Sequence, residues 1–313
     1  MIDRRMGQLV DGVWHPGWYK PTTTGVFERP ATVFRGRVNG ISSGRYHLYV
    51  ARACPWAHRT LITRSLRGLE HAIGVTIVDP HMGEDGWVFK PDDPDPIGGG
   101  KFLRDVYLRA DPHYTGRVTV PILWDKELGT IVNNESREIM RMLDLEFASL
   151  AIAPMMNTLA PPDLRPEIDR ILDAIYEPIN NGVYRAGFAN TQAAYDKAVH
   201  ELFDSLAHWD RKLAHQPFLC GSHMTEADIA LFTTCLRFDL VYYAHFKCNV
   251  KRLRDHTNLW KLTRRMWSHP GVRSTCSLDE IKTHYYWSQD NVNPTRIVPA
   301  GPSEYERDLE APL

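Results

Sequence analysis

The residue most plainly placed for chemistry in this sequence is Cys54, in the run Cys54-Pro55-Trp56-Ala57. Before it, Tyr46, Leu48 and Val50 alternate with His47 and Tyr49, a short strand pattern. After it, Leu61, Ile62, Leu66 and Leu69 recur at helical spacing. Pro55 suits the first helical position, where its missing N–H costs nothing. Cys54 is therefore predicted at a strand-to-helix junction, beside free helix N–H groups and the positive end of the dipole. The thiolate is the nucleophile, and such surroundings can bring a thiol pKa of about 8.5 down to roughly 3.5–7.5. Two units are worth about 2.7 kcal/mol of preference for the anion. An arbitrary cysteine is more often an inert packing residue. Here the strand–Cys-Pro–helix context favours a nucleophile. Three positions on stands Ala57, not a second cysteine, so a mixed disulfide on Cys54 needs an external thiol to resolve it.

Two further stretches could hold a small peptide-like ligand. Val118 to Asp125 and Lys126 to Val132 read as two strands joined by a short turn. A Val120-Pro121 bond in the cis form would leave the backbone groups of Val120 outside the sheet, free to pair with an extended peptide. Asn133-Asn134-Glu135-Ser136 opens a helix whose apolar side carries Ile139, Met140 and Leu143. The helix start can hold a carboxylate and Glu135 an ammonium; an ordinary helix cap is the other reading. Residues 80–117 form a long insertion rich in Asp, Pro and Gly, with no secondary structure evident. Within it Trp87 could pack on a ligand or pin the loop.

Composition narrows the class. The chain has 313 residues, 43% apolar and 24% charged, with a net charge of −1. That is ordinary for a soluble globular protein of two domains and gives no basic footprint for nucleic acid. No apolar run reaches the roughly 18 residues of a membrane span, and the first residues lack a hydrophobic signal core. Cysteines 54, 220, 235, 248 and 276 are scattered and odd in number, which suits a reducing cytoplasm rather than a disulfide framework. No Cys/His spacing suggests a metal site.

The organisation follows. Residues 1–45 read as an extended arm anchored by Trp14, Trp18, Tyr19, Phe27 and Phe34, with no chemical signal of its own. Residues 46–147 carry the strand–helix–strand and strand–strand–helix patterns, with Gly74–Val78 as the second strand, parallel to the first. Residues 148–164, with Pro154, Pro161 and Pro162, form a linker. Helical periodicity then runs over about 165–180, 191–214, 226–247, 257–268 and 278–287, with Thr225 and Asp228 as a capping box. A non-periodic tail, 288–313, closes the chain.

These residues resemble the glutathione transferases: a thioredoxin-like N-terminal domain followed by an all-α domain. More narrowly they resemble the Xi class, the glutathionyl-hydroquinone reductases. The matching pieces are RYHLYVARACPWAHRTLI, the Gly-Trp of the insertion, ADPHYTGRVTVPILWDK, NNES, INNGVYRAGFA, HMTEAD, RFDLVYYAHFKC, HYYWSQ and NPTRIVP. The resemblance implies that Cys54 attacks the sulfur of a glutathionyl-hydroquinone and that a second glutathione releases the disulfide GSSG. It implies glutathione as co-substrate, no permanently bound cofactor, a cytoplasmic homodimer, and no nucleic-acid or membrane partner. Trp87, Arg117, Val118, Thr119, Val120, Glu135 and Ser136 would hold glutathione. Tyr184 would exchange a proton with the quinol, and Tyr242 and Tyr285 would lower the pKa of Cys54. Their neighbours Tyr243 and Tyr286 are the alternatives at those places.

Three other readings compete. An omega-like thioltransferase or dehydroascorbate reductase would share Cys54. A conjugating transferase would activate glutathione with a hydroxyl instead, and a binding module would use the scaffold without chemistry.

Overall fold

The computed structural model describes residues 7–17, 22–152 and 158–312. Trp18, Tyr19 and Pro154 lie outside the described residues. The central sheet has four strands in the order β4-β3-β5-β6. These are β3 (Tyr46–Val50), β4 (Gly74–Ile77), β5 (Ile122–Asp125) and β6 (Thr130–Asn133). β3 runs parallel to β4 and antiparallel to β5, with Tyr49 opposite Ile122. All five residues of β3 are buried, so the alternation in its sequence does not mark one wet face; both faces are covered. The segment expected as strand from Val118 enters the sheet only at Ile122, after a cis Val120-Pro121 bond.

Helix α1 (Pro55–Leu66) follows β3 directly, with Pro55 at its first turn and Cys54 as its N-cap. Its Ala57 and Leu61 belong to the sheet core, whereas Ile62 and Leu66 belong to the helical core. Leu61, Ile62 and Leu66 each contribute about 1.5–3 kcal/mol by burial, so the helix that presents Cys54 is anchored from both sides. Helix α3 (Ser136–Leu145) packs against α1 and buries Ile139, Met140 and Leu143.

Three expectations are corrected. The insertion 80–117 is not structureless: Leu103–Ala110 form helix α2, which buries Leu103, Val106 and Tyr107. Its three charged positions obscured the apolar stripe, and Asp105 accepts a bond from the Phe102 N–H at the helix start (2.9 Å). The arm is not merely extended. Gln8–Val10 and Val13–His15 form a hairpin, β1 and β2, turned at Asp11 and Gly12 with φ of 48° and 74°. A Cβ on Gly12 would lie 2.0 Å from the Pro112 carbonyl oxygen. The tail after 288 contains helix α11 (Tyr305–Glu310), docked by Tyr305, whose hydroxyl donates to the Leu236 carbonyl (3.0 Å).

The helical half comprises α4 (Arg165–Ile175), α5 (Gly182–Gly187), α6 (Gln192–Lys212), α7 (Glu226–Arg237), α8 (Thr257–Ser268), α9 (Pro270–Arg273) and α10 (Leu278–Ser288). The helix expected over 165–180 runs its full length, its last five residues as a π turn (Tyr176–Asn180), whereas that expected over 226–247 ends at Tyr242 in a π turn (Phe238–Tyr242). Helix α5 escaped the pattern because its glycines have no apolar side chain to count. Gly187 is needed there, since a Cβ would lie 2.3 Å from the Phe246 ring. The capping box at Thr225 and Asp228 is present, and Asp228 also accepts from the Leu219 N–H (2.7 Å).

Candidate active site

Cys54 is half-buried, with φ −78° and ψ 121°, and its carbonyl accepts the first bond of α1 from His58 N–H (2.9 Å). The thiol faces the Val120 carbonyl oxygen at 3.8 Å. The two residues before it are gripped from beneath by Arg237, which is fully buried at the end of α7. Its Nε donates to the Ala53 carbonyl (2.9 Å) and its Nη2 to the Arg52 carbonyl (2.6 Å), while Nη1 donates to Thr233 O (2.6 Å). No carboxylate pairs with it among the described residues.

The expectation of a thiol pKa lowered by tyrosines is corrected. Burial is the largest influence and pushes the Cys54 thiol up; the opposing influences are, in order, the Ala57 N–H, Arg237, the Trp56 N–H and Arg29. The helix start and the buried guanidinium act in the expected direction, but loss of water around the sulfur outweighs them.

The sulfur opens into a small cleft of about 80 Å³ that Trp87, Thr119, Val120, Tyr184 and Tyr285 also line. A neighbouring cleft of about 230 Å³ is lined by Arg117, Thr119, Val120, Glu135 and Ser136. The two share Arg29, Trp56, Thr119 and Val120. Val118 packs in the sheet core and lines neither cleft. The Arg117 guanidinium is partly committed to the arm, Nη1 donating to the carbonyls of Gly7 (3.0 Å) and Gly17 (2.8 Å).

The wider cleft is braced by groups that sequence reasoning missed. Tyr107 of α2 donates its hydroxyl to the Thr119 carbonyl (2.9 Å), and the Tyr107 hydroxyl oxygen accepts from Thr119 N–H (3.2 Å) and Asn134 Nδ2 (3.1 Å). Glu135 is the N-cap of α3, accepting from Arg137 N–H (3.3 Å) and from the Thr32 hydroxyl (3.3 Å). Its own N–H donates to Asn133 Oδ1 (2.7 Å).

On the other wall, three phenols form a chain. The Tyr184 and Tyr285 oxygens are 2.6 Å apart, and those of Tyr285 and Tyr242 2.9 Å apart. Burial raises the pKa of each, so all three hydroxyls keep their protons. Tyr242 stands behind Tyr285, off the cleft wall. The neighbouring Tyr286 instead directs its hydroxyl to the Leu240 carbonyl (3.4 Å). Three hydroxyls carry three protons and two links use two of them. The remaining one can be offered to a ligand at the Tyr184 end.

Arg29 of the arm, which carried no sequence signal, lies over Tyr184 (4.7 Å from Cζ to the ring centroid) and Trp56 (5.1 Å). Its Nε donates to Asn181 Oδ1 (3.1 Å). Phe27, Phe188, His284 and Gln289 complete the smaller cleft. His284 and Gln289 flank Tyr285 in HYYWSQ, where residue type alone could have singled them out.

Comparison with known proteins agrees with this geometry. The glutathione S-transferase N-terminal domain model matches residues 53–146 and the C-terminal domain model residues 192–265. The chain is 49% identical to glutathionyl-hydroquinone reductase PcpF of Sphingobium chlorophenolicum, over 96% of this chain and 97% of that one. It is 46% identical to glutathionyl-hydroquinone reductase YqjG of Escherichia coli, over 98% of each. Among solved structures, a Xi-class transferase from Natrialba magadii superposes with a TM-score of 0.92 at 51% identity, covering 98% of this chain and 96% of that one. The glutathione-bound structure of YqjG gives a TM-score of 0.83 at 47% identity, covering 95% and 96%.

Proposed function

Because the chain belongs to the glutathione transferase family, and within it to the glutathionyl-hydroquinone reductases, we propose that it reduces glutathionyl-hydroquinones with glutathione as co-substrate. The Cys54 thiolate attacks the glutathionyl sulfur. The carbon–sulfur bond breaks, the sulfur–sulfur bond of a Cys54–glutathione mixed disulfide forms, and the ring carbon takes up a proton to give the hydroquinone. A second glutathione then attacks the mixed disulfide. Its thiol proton is lost, GSSG leaves, and the Cys54 thiolate is restored. Ala57 leaves no internal thiol at that position to compete.

In this reading the tripeptide lies in the wider cleft. Its backbone pairs with Val120, its ammonium meets Glu135 and its carboxylate the start of α3 at Ser136. Arg117 and Thr119 complete that wall, Trp87 borders the smaller cleft beside Cys54, and Val118 stays in the sheet core behind them. The unit 46–147 holds glutathione and the helices 165–287 hold the quinol. Tyr184 supplies the proton at the ring carbon, backed by Tyr285 and Tyr242. A homodimer working in a reducing cytoplasm is part of the same proposal, the first half of it checked by sedimentation.

The single observation that supports this reading over disulfide exchange alone is the phenol chain facing the same cleft as Cys54. A disulfide has a sulfur leaving group and needs no acid for carbon. The test is product analysis with a glutathionyl-hydroquinone. Hydroquinone and GSSG are expected in equal amounts, with one glutathione mass trapped on Cys54 when the second thiol is withheld, and neither with Cys54→Ala. Conjugation of glutathione to an aryl halide that survives Cys54→Ala overturns it.

A further inference from the structure

His284 lies in α10 beside Tyr285 and is buried, with 6% of its surface exposed. Its Nδ1 is 2.9 Å from the Pro80 carbonyl oxygen. A carbonyl can only accept, so Nδ1 carries the proton of the ring. Burial is the main cause that brings the imidazole pKa down to about 4, so the ring is neutral at physiological pH. It follows that Nε2 holds a bare lone pair. No protein group donates to it among the described residues. The ring is fixed by stacking on Trp87 (centroids 4.6 Å apart, planes at 17°), and it lines the cleft that Cys54 opens into.

Gln289, 4% exposed, lines the same cleft. Its Oε1 lies 3.0 Å from His245 Nε2. An amide oxygen only accepts, so the histidine donates and the Gln289 amide N–H₂ is left as a donor. Neither His284 nor Gln289 lines the wider cleft assigned to glutathione. The Nε2 lone pair opens onto the cleft rather than being sealed in the core, so a ligand that displaces water from it must supply a donor in its place. What it requires is an O–H or N–H on the ligand in the smaller cleft.

We propose that His284 Nε2 accepts a hydrogen bond from a phenolic hydroxyl of the hydroquinone, and so selects ligands bearing a free aromatic O–H. This rests on the reductase reading above. Unlike the tyrosines, which offer protons, His284 asks for one, and a hydroquinone has O–H groups to give. The quinone and a fully O-methylated ring have none.

The test compares His284→Asn and His284→Gln on two substrates, a glutathionyl-hydroquinone and the mixed disulfide of glutathione with 2-mercaptoethanol. Asparagine can keep the bond to Pro80 and loses the acceptor at Nε2; glutamine keeps an acceptor there and loses the Pro80 bond. For His284→Asn, kcat/KM on the hydroquinone should fall about 10- to 100-fold, the range for a buried hydrogen-bonding group left unpaired. It should fall at least about ten-fold more than on the disulfide, and His284→Gln should recover part of the difference. Equal losses on both substrates, or a hydroquinone loss below about two-fold, overturn the proposal. A wild-type protein that turns over the disulfide but no hydroquinone overturns the reductase reading first, and this inference with it.

Discussion

Removing the three phenol hydroxyls one at a time separates catalysis from stability, because the chain has direction. Tyr184 lines the cleft, Tyr285 bonds to both partners, and Tyr242 is fully buried behind them. Tyr184→Phe deletes the proton offered to the ring carbon. General acid catalysis by a positioned group contributes about 10²–10⁴-fold, or about 2.7–5.5 kcal/mol of barrier. Its effect on folding should be about 1 kcal/mol, since Tyr285 keeps one partner. Tyr285→Phe breaks both links and strands the Tyr242 hydroxyl in the core. It should cost about 1–3 kcal/mol of stability and a smaller catalytic loss than Tyr184→Phe. Tyr242→Phe leaves the front link intact and should lower turnover only a few-fold, through lost polarisation of the chain. The assay is single-turnover release of hydroquinone, paired with urea midpoints and with the same measurement on a glutathione mixed disulfide. The hydroquinone loss for Tyr184→Phe should exceed its disulfide loss by at least about ten-fold. If Tyr242→Phe slows hydroquinone release as much as Tyr184→Phe, or if catalytic losses follow stability losses across the series, the directional chain is refuted.

Other consequences are as direct. Because burial raises the Cys54 thiol, its thiolate fraction at pH 7 should lie below that of free cysteine, and alkylation of the resting protein should keep accelerating as pH rises through 9; a plateau reached below pH 7 refutes this. Arg237→Met removes a lowering influence and should move that alkylation profile further up, with Arg237→Lys between it and wild type; identical profiles for all three rule out a charge effect on the sulfur. Glu135→Gln should raise the KM for the resolving glutathione about ten-fold, roughly the contribution of one charge-assisted hydrogen bond, with kcat changed much less. A KM within two-fold of wild type removes Glu135 from the ammonium site.

What was legible in the sequence was local. The strand before Cys54, the helix after it and the cap at Thr225 each depend on residues within a few positions, and contrast between periods reveals them. Helix α2 was hidden because Arg104, Asp105 and Arg109 interrupt its apolar stripe inside a Gly- and Pro-rich stretch. That loss mattered, since Tyr107 on α2 fixes Thr119 and Asn134, 12 and 27 positions further on. Arg29 reaches Tyr184 across 155 positions, and nothing near it in the chain signals that. The sign of the Cys54 shift was misjudged for the same reason. A helix N-terminus is a sequence feature, but desolvation depends on everything packed around the sulfur.

That opposition of burial and dipole has a consequence for turnover. A sulfur that burial keeps more in the thiol form is a poorer target for stray oxidants, because the thiolate is the species that reacts. The groups that favour the anion are already in place: the N–H groups of Trp56 and Ala57, and the Arg237 guanidinium bound to the carbonyls of Arg52 and Ala53. None of them has to move for the thiolate to form. What can change on substrate binding is the other side of the cleft, where the phenol chain and any substrate hydroxyl meet the sulfur's surroundings. A ligand that brings donors toward Cys54 offsets part of that desolvation. The nucleophile is then made when there is something to attack. The comparison that decides this is the alkylation profile of Cys54 with and without a bound, unreactive hydroquinone: the thiolate fraction measured at partial occupancy should rise with the ligand, whereas a profile indifferent to it places the whole activation in the protein.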